Sequence, residues 1–214
     1  MADAHGSDLL ALTQWLSPAF PVGGYAYSHG LEQVIAAGDV TDAASLSAWL
    51  RDVLRFGAGR MDAALLAAAH RGEDAAWLTQ VARSLAASKE RWDETEALGR
   101  AFAEALRGAT GDGPAPMPYP VAVGVAAQAL SLGTGTVAEM FLHAFASNLV
   151  SCAVRFVPLG QNEGQAVLAG LHGVIVEVAA QAVALPVDEV AASVPRADLA
   201  AMAHETMETR IFRT

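Results

Sequence analysis

Cysteine, lysine and clustered positive charge are scarce in this 214-residue chain, and each scarcity excludes a class of protein. Cys152 is the only cysteine, so a disulfide within these residues is excluded and a reducing, cytoplasmic location is expected. Lys89 is the only lysine, and it lies outside any Gly-Lys-Ser/Thr run, so a P-loop for ATP or GTP is excluded. The formal net charge of −10 argues against nucleic acid as a partner.

Apolar runs of bilayer-spanning length are also missing. Residues 113–138 carry four prolines, and the charge-poor stretch 140–154 is shorter than the roughly 20 residues that a bilayer requires. The first eight residues are acidic and lack the apolar core of a secretory signal. We therefore expect a soluble, cytoplasmic protein with no membrane partner.

What the chain has in abundance is helical periodicity. Hydrophobic residues make up 53% of the chain, many of them alanine, and strand-like alternation is weak throughout. This predicts an all-α fold, a single globular helical bundle domain of about eight to ten helices. We expect a flexible N-terminus over 1–7, the helical domain over 8–203 with a Gly- and Pro-rich loop at 108–120, and a C-terminal tail over 204–214.

Some helix boundaries can be predicted from local signals. Ser7 is a candidate N-cap for a first helix that ends before Pro18. Three apolar segments follow the loop, at 121–132, 136–157 and 164–185. Thr136 and Glu139 have the spacing of a capping box at the start of the second segment. Because that segment is apolar nearly all round, we expect it to be a central helix wrapped by the others.

The most unusual stretch is 21–32, where glycine, aromatic and polar residues occur together in an otherwise alanine-rich chain. Pro21, Gly23 and Gly24 must interrupt the helix, because proline lacks a backbone donor and glycine tolerates positive φ. This composition indicates either a recognition surface or an active site. The side chains that this segment offers are Tyr25, Tyr27, Ser28, His29 and Glu32.

Motifs for catalysis or metal binding are missing. The six histidines form no H-x-H or H-E-x-x-H pattern, and a cysteine pair is excluded. Ser28 and His29 are adjacent, and adjacent side chains on a helix do not face each other. We therefore expect no cofactor, no metal site and no catalytic residue.

Two charges interrupt apolar runs, Arg155 and Glu177, and a buried lone ion costs several kcal/mol. Arg155 could complement a helix C-terminus, pair with Glu177, or face a partner protein. The tail carries Ile211 and Phe212, whose burial alone does not offset the backbone entropy of fixing eight residues. We expect a partner to order this tail, with Phe212 as the anchor and Arg210 and Arg213 at the rim.

Three stretches together resemble the urease accessory protein F family (UreF). The run from Pro21 to Glu32 is similar to its N-terminal signature. Residues 154–161, which include Arg155, resemble its central motif. His204-Glu205-Thr206 followed by Arg210-Ile211-Phe212-Arg213 resembles its terminal motif, although Glu208 stands where the family often has tyrosine. The matches occur in order and span nearly the whole chain.

The resemblance implies an all-α, usually homodimeric adaptor without catalysis of its own. Such an adaptor would bridge a GTPase accessory protein and a second accessory protein (D or H) and deliver nickel to apo-urease. The residues it implies for the GTPase-facing region are Gly23, Gly24, Tyr25, Ser28 and Glu32, with Arg155 nearby. His29, in the same segment, is a further candidate for partner binding. Those implied for docking on the second accessory protein are His204, Glu205, Arg210, Phe212 and Arg213.

Two alternatives remain open at this point. The chain could bind nickel directly, with His29 or His204 and an acidic neighbour as ligands. It could also be a helical enzyme that uses His29 and Glu32 as an acid/base pair in a glycine-lined pocket.

Overall fold

A computed structural model describes residues 2–214, with side chains from His5 onward, and contains no β-strand in that range. The all-α, single-domain fold expected from the periodicity is confirmed. Short 3₁₀ helices lie at Gly24–Ala26 and Val187–Glu189. The α-helices of the described residues are α1 (Ala2–Trp15), α2 (Leu31–Ala36), α3 (Ala43–Phe56), α4 (Ala58–His70), α5 (Ala75–Leu85), α6 (Lys89–Thr110), α7 (Tyr119–Ala127), α8 (Thr134–Ala153), α9 (Gln161–Gly170), α10 (His172–Ala184) and α11 (Pro195–His204).

The centre of the bundle is built from α4 and α8. Helix α4 is buried at every position from Ala63 to Ala69 and packs against α3, α5, α7, α8 and α10. Its small alanine side chains allow close approach, as does Gly124 of α7, where a Cβ would lie 2.5 Å from the carbonyl oxygen of Leu66. Helix α8 contacts α1, α2, α3, α4, α9 and α10, so the predicted central position of this segment is confirmed.

Several predicted boundaries are wrong. Helix α1 begins at Ala2, so Ser7 lies inside it and the boundary at residue 7 does not correspond to a helix start; Met1 lies outside the described residues. Helix α8 begins at Thr134 with Gly133 as its N-cap, so the capping box at Thr136 does not form. Propensity explains the first error, because alanines precede Ser7 and favour a helix there. It does not explain the second, because Thr134 and Gly135 are poor helix formers.

The loop and the last apolar segment also differ from the prediction. Helix α6 runs through Thr110 and ends at Gly111, so the loop occupies 111–118 rather than 108–120. The segment 164–185 is not one helix: it is α9 and α10, which meet at a bend of 41°. No single described helix is long and apolar enough to cross a membrane, and only this bent pair reaches that length and hydropathy together.

Glu177 does not pair with Arg155. Its carboxylate accepts a hydrogen bond of 2.7 Å from Arg55 on α3, and both side chains remain partly exposed. This hydrogen bond lowers the pKa of Glu177. Arg155 lies just beyond the end of α8, in a turn, with its side chain exposed. The predicted Arg155–Glu177 pair is therefore wrong.

Candidate functional site: convergence of three distant motifs

The segment 23–30 turns sharply between α1 and α2. Gly23 precedes the first 3₁₀ helix with φ of 77°, and Gly30 precedes α2 with φ of 74°. His29 also has a positive φ, 56°, which is uncommon for a residue with a side chain. These turns leave Tyr25 62% exposed and direct Ser28 into the interior. Gly24 belongs to the 3₁₀ helix itself, so only Gly23 of the glycine pair uses the left-handed region.

The end of the chain lies along this segment. The backbone N–H of Arg213 donates to the carbonyl of Ala26 at 2.8 Å, and the N–H of Ser28 donates to the carbonyl of Thr214 at 2.9 Å. The Ser28 hydroxyl donates to the same Thr214 carbonyl. The N-terminal and C-terminal motifs are thus joined by backbone hydrogen bonds.

Glu32 is the main contact between α2 and the tail. One carboxylate oxygen accepts the N–H of Ile211 at 2.9 Å, and the other accepts the N–H of Phe212 at 3.0 Å. The second oxygen also lies 3.2 Å from Nε2 of His204. Burial alone would raise the pKa of Glu32, but these hydrogen bonds outweigh it and lower the pKa below its ordinary value.

His204 lies between two carboxylates. Its Nδ1 is 2.8 Å from Glu90 on α6, and its ring is fully buried. The ring thus contacts a carboxylate through each of its two nitrogens. Arg210 also binds the Glu90 carboxylate. The backbone N–H of Glu90 donates to the Glu205 carboxylate at 3.3 Å. The terminal motif is therefore bound to both α2 and α6.

A second polar cluster lies beneath His29. Glu94 of α6, 1% exposed, is 2.8 Å from Nε2 of His29 and 2.5 Å from the Arg91 guanidinium. Thr214 donates its hydroxyl to Glu94 at 2.8 Å. Asp62 of α4 lies 3.9 Å from Arg91. One guanidinium thus serves two buried carboxylates.

The shared cation explains the pKa values of this cluster. Burial raises the pKa of Asp62 to about 7, because Arg91 is too distant to offset the loss of water and Glu94 adds like charge. Burial opposes the charged form of Glu94 as well. The charge of Arg91 and the hydrogen bonds from His29 and Arg91 outweigh burial, and the pKa of Glu94 is lowered to about 2. Burial lowers the pKa of His29, so the ring is neutral and donates from Nε2 to Glu94. Its Nδ1 is buried without a hydrogen bond in the described part of the chain.

Two small cavities border this cluster. One has a volume of about 100 Å³ and lies under Tyr25, and the other has a volume of about 60 Å³ and lies near α11. Both are lined by His29, Asp62 and Arg91.

The central motif completes the site through Phe212. This side chain is 5% exposed, and its ring centre lies 5.2 Å from that of Phe156 in a near-perpendicular arrangement. The Arg155 guanidinium lies 6.0 Å from the Phe212 ring, at the limit of a cation–π contact. The three motifs, at residues 21–32, 154–161 and 204–214, therefore meet around Phe212.

The predicted site residues separate into exposed and buried groups. Phe212 was expected as an anchor for a partner, yet here it is buried in its own chain. The ordering of the tail by a partner stays a prediction. The exposed side chains are those of Tyr25, Arg155, Glu205, Arg210 and Arg213, and the buried ones are those of Ser28, Glu32, His204 and Phe212.

Sequence reasoning missed the residues that hold these motifs, namely Asp62, Glu90, Arg91 and Glu94. Those on α6 lie in a charge-rich helix, where charged residues usually face solvent. Asp62 did carry a signal. It is an isolated carboxylate in the alanine-rich α4, the same pattern that drew attention to Arg155 and Glu177.

The geometry bears on both alternatives. Among the side chains that the structure describes, those of residues 5–214, no three from His, Cys, Asp or Glu are placed to bind one metal ion. His29 and His204 are bound instead to Glu94 and to Glu32 with Glu90. An acid/base pair of His29 and Glu32 is not formed, because the two side chains have different partners and Glu32 is fully used by the tail.

A family model and relatives of nearly the same length match this chain. The family model described as UreF matches residues 40–172. A urease accessory protein UreF from Cereibacter sphaeroides (strain KD131) is 57% identical over 206 residues, which cover 96% of this chain and 98% of that protein. Proteins of the same name from Jannaschia sp. (strain CCS1) and Rhizobium etli (strain CIAT 652) are 52% and 47% identical, each over 96% of this chain and over 94% and 96% of their own lengths. The chain belongs to the UreF family of urease accessory proteins.

Proposed function

We propose that this chain is a non-catalytic adaptor in the GTP-dependent insertion of nickel into apo-urease. It bridges the GTPase accessory protein and the second accessory protein (D or H), regulates GTP hydrolysis, and acts in the cytoplasm as a homodimer. Nickel is the cargo of this process.

The observation that carries the proposal is the meeting of three distant motifs at one site. The buried members, Ser28, Glu32 and Phe212, hold the segments together, while arginines and large apolar side chains remain outside. Arginine and aromatic residues are enriched where protein interfaces derive most of their binding energy. The exposed side chains available for partners include Tyr25, Arg155, Arg210, Ile211 and Arg213.

We propose two partner surfaces. The first comprises Gly23, Gly24, Tyr25 and Arg155, near the turn before α2, and is proposed to face the GTPase. The second comprises Glu205, Arg210, Ile211 and Arg213 and is proposed to face the second accessory protein. Glu32 belongs to the N-terminal motif and accepts the backbone N–H of Phe212 in the tail. A partner that displaces Phe212 would therefore also free the Glu32 carboxylate. Binding at one surface can thereby change the other.

Co-purification of the full chain with the two accessory proteins tests this function. We compare Tyr25→Ala and Ile211→Ala with Leu10→Ala, a control at an equally exposed apolar residue on α1. The Tyr25 variant is expected to lose the GTPase, and the Ile211 variant to lose the second accessory protein, with the control retaining both. The adaptor function is refuted if the wild-type chain captures neither protein, or if all three variants behave alike.

A further inference from the structure

Two histidines face each other away from the site described above. His143 lies on α8 and His172 is the first residue of α10, and their ring centres are 5.6 Å apart at an interplanar angle of 47°. Both side chains are exposed. They line an open groove of about 530 Å³ bordered by α1, α8 and α10.

The separation of the rings suits a shared metal ion. With metal–nitrogen bonds of about 2.0–2.1 Å, two imidazoles on one ion have ring centres about 5 Å apart. No hydrogen bond or ion pair among the described residues engages either ring, so both are available as ligands. Burial, and then the neighbouring His172, lower the pKa of His143, which favours the neutral ring that a metal requires.

The surroundings favour a cation. Glu139 lies one helical turn before His143 on α8 and lines the same groove, so a carboxylate borders the two rings. The remaining polar groups of the groove are the hydroxyls of Thr13, Ser17 and Ser147, which add no positive charge. The formal charge of −10 on the whole chain also attracts cations.

We propose that His143 and His172 bind one divalent transition-metal ion through an imidazole nitrogen each, with water completing its coordination. Imidazole ligands suit Ni²⁺, Cu²⁺ and Zn²⁺. Two protein ligands give an open, exchangeable site, in contrast to the closed four-ligand sites that bind structural zinc. The site goes beyond the adaptor role, which requires no metal bound to this chain.

Isothermal titration of the untagged, full-length chain with Ni²⁺ at pH 7.5 tests the site. We expect one ion per chain, and a loss of affinity of at least about tenfold in both His143→Ala and His172→Ala. His5→Ala, which removes an exposed histidine from α1, is the matched control and should bind as the wild type does. Affinity should fall as the pH is lowered to 5.5, because protonated imidazoles cannot bind metal.

Nuclear magnetic resonance provides a second readout that does not depend on the variants. Paramagnetic Ni²⁺ is expected to broaden the ring signals of His143 and His172 at substoichiometric metal, before those of the other histidines. The proposal is overturned if the wild-type chain binds no Ni²⁺, if either alanine variant keeps wild-type affinity, or if the broadening begins at another histidine. Co-purification of the accessory proteins in a chelator-containing buffer is a separate measurement, so failure of the metal site leaves the adaptor test intact.

Discussion

Glu32 accepts a hydrogen bond from the backbone N–H of Phe212, 180 residues further along the chain, at a distance of 3.0 Å. The same carboxylate binds the N–H of Ile211 and the ring of His204. Hydrogen bonds to a charged group typically contribute about 1.5–3 kcal/mol each. One side chain of α2 therefore fixes Ile211 and Phe212, whereas Arg213 and Thr214 are bound by Ala26, Ser28 and Glu94.

Glu32→Gln should weaken the attachment of the tail to α2, although the side chain at position 32 keeps its size and shape. Glutamine has a single carbonyl oxygen, so its NH₂ group faces one of the two backbone donors and leaves that donor unpaired. We expect a destabilisation of about 1.5–3 kcal/mol in urea unfolding. We also expect amide hydrogen exchange at residues 211 and 212 to become at least about tenfold faster, since protection depends on local opening.

Glu208→Gln is the control for this change, because Glu208 is an exposed carboxylate in the same tail. It should leave both exchange and stability unchanged. The exchange measurement on the isolated wild-type chain also decides how the tail is ordered. Protected amides mean that contacts within the chain, those of Glu32 among them, are sufficient to order the tail. Unprotected amides that become protected when the second accessory protein binds mean that a partner orders the tail.

The raised pKa of Asp62 should contribute a loss of stability as pH rises from 5 to 7. The folded state holds a proton on Asp62 up to about pH 7, whereas an unfolded aspartate loses it near pH 3.9. Between these values the folded state binds more protons, so stability falls with pH, by up to about 1.4 kcal/mol per unit. Asp62→Asn, which mimics the protonated form, should remove this slope and be more stable than the wild type at pH 8.

Urea unfolding at pH 5, 6, 7 and 8 measures this slope. Asp52→Asn, at an exposed position on α3, is the control and should follow the wild-type curve. Glu94 affects stability in the opposite sense, because its pKa is lowered to about 2. Its contribution to the free energy of unfolding is present above about pH 4 and is lost as the pH falls toward 2. The lowered pKa values of His29, His70 and His143 act in the opposite sense in this range, so the Asp62 contribution is taken as the difference between the wild-type and Asp62→Asn curves. A difference that does not change between pH 5 and 7 would show that Arg91 keeps Asp62 charged.

The helical architecture could be predicted because it depends on local signals. Pro18, Pro158 and Pro186 lie beyond the ends of α1, α8 and α10, as their missing backbone donors require. The break between α9 and α10 could not be predicted, because no proline marks it and Leu171 continues the apolar pattern. The break depends on packing, since Leu171 is fully buried in the core.

The site was only half predictable for a similar reason. Ser28, Glu32 and Phe212 stood out because polar or large side chains are unusual in their segments. Their partners on α6, such as Glu94, lie in a helix where charges are common, and only the three-dimensional structure shows that this residue is 1% exposed. Sequence identifies unusual residues, whereas burial of ordinary ones depends on which helix covers them.

The Arg55–Glu177 pair should show weak but measurable coupling. Its side chains are 35% and 44% exposed, so solvent screens the charges and the coupling expected from a double-mutant cycle is about 0.2–1 kcal/mol. The cycle uses Arg55→Gln and Glu177→Gln, singly and together, in urea unfolding. The control is a double-mutant cycle of Arg155→Gln with Glu177→Gln, which should show no coupling. Coupling between residues 155 and 177 above about 0.5 kcal/mol would contradict the pairing described here.

Gly30→Ala should be strongly destabilising, because two independent constraints act at this position. Its φ of 74° is unfavourable for alanine, and a Cβ would lie 2.8 Å from the backbone nitrogen of Ala201 on α11. Gly38→Ala separates the effect of φ from that of the close contact. Gly38 has a similar φ of 80°, but no atom lies within 4 Å of the position that an alanine Cβ would occupy. The Gly38 variant should lose about 1–2 kcal/mol from backbone strain alone. The Gly30 variant should lose clearly more in the same urea titration, because backbone atoms of α11 must move away from α2. Equal losses in the two variants would show that α11 yields freely at this contact, and the close packing of α2 on α11 would then not be a constraint on the site.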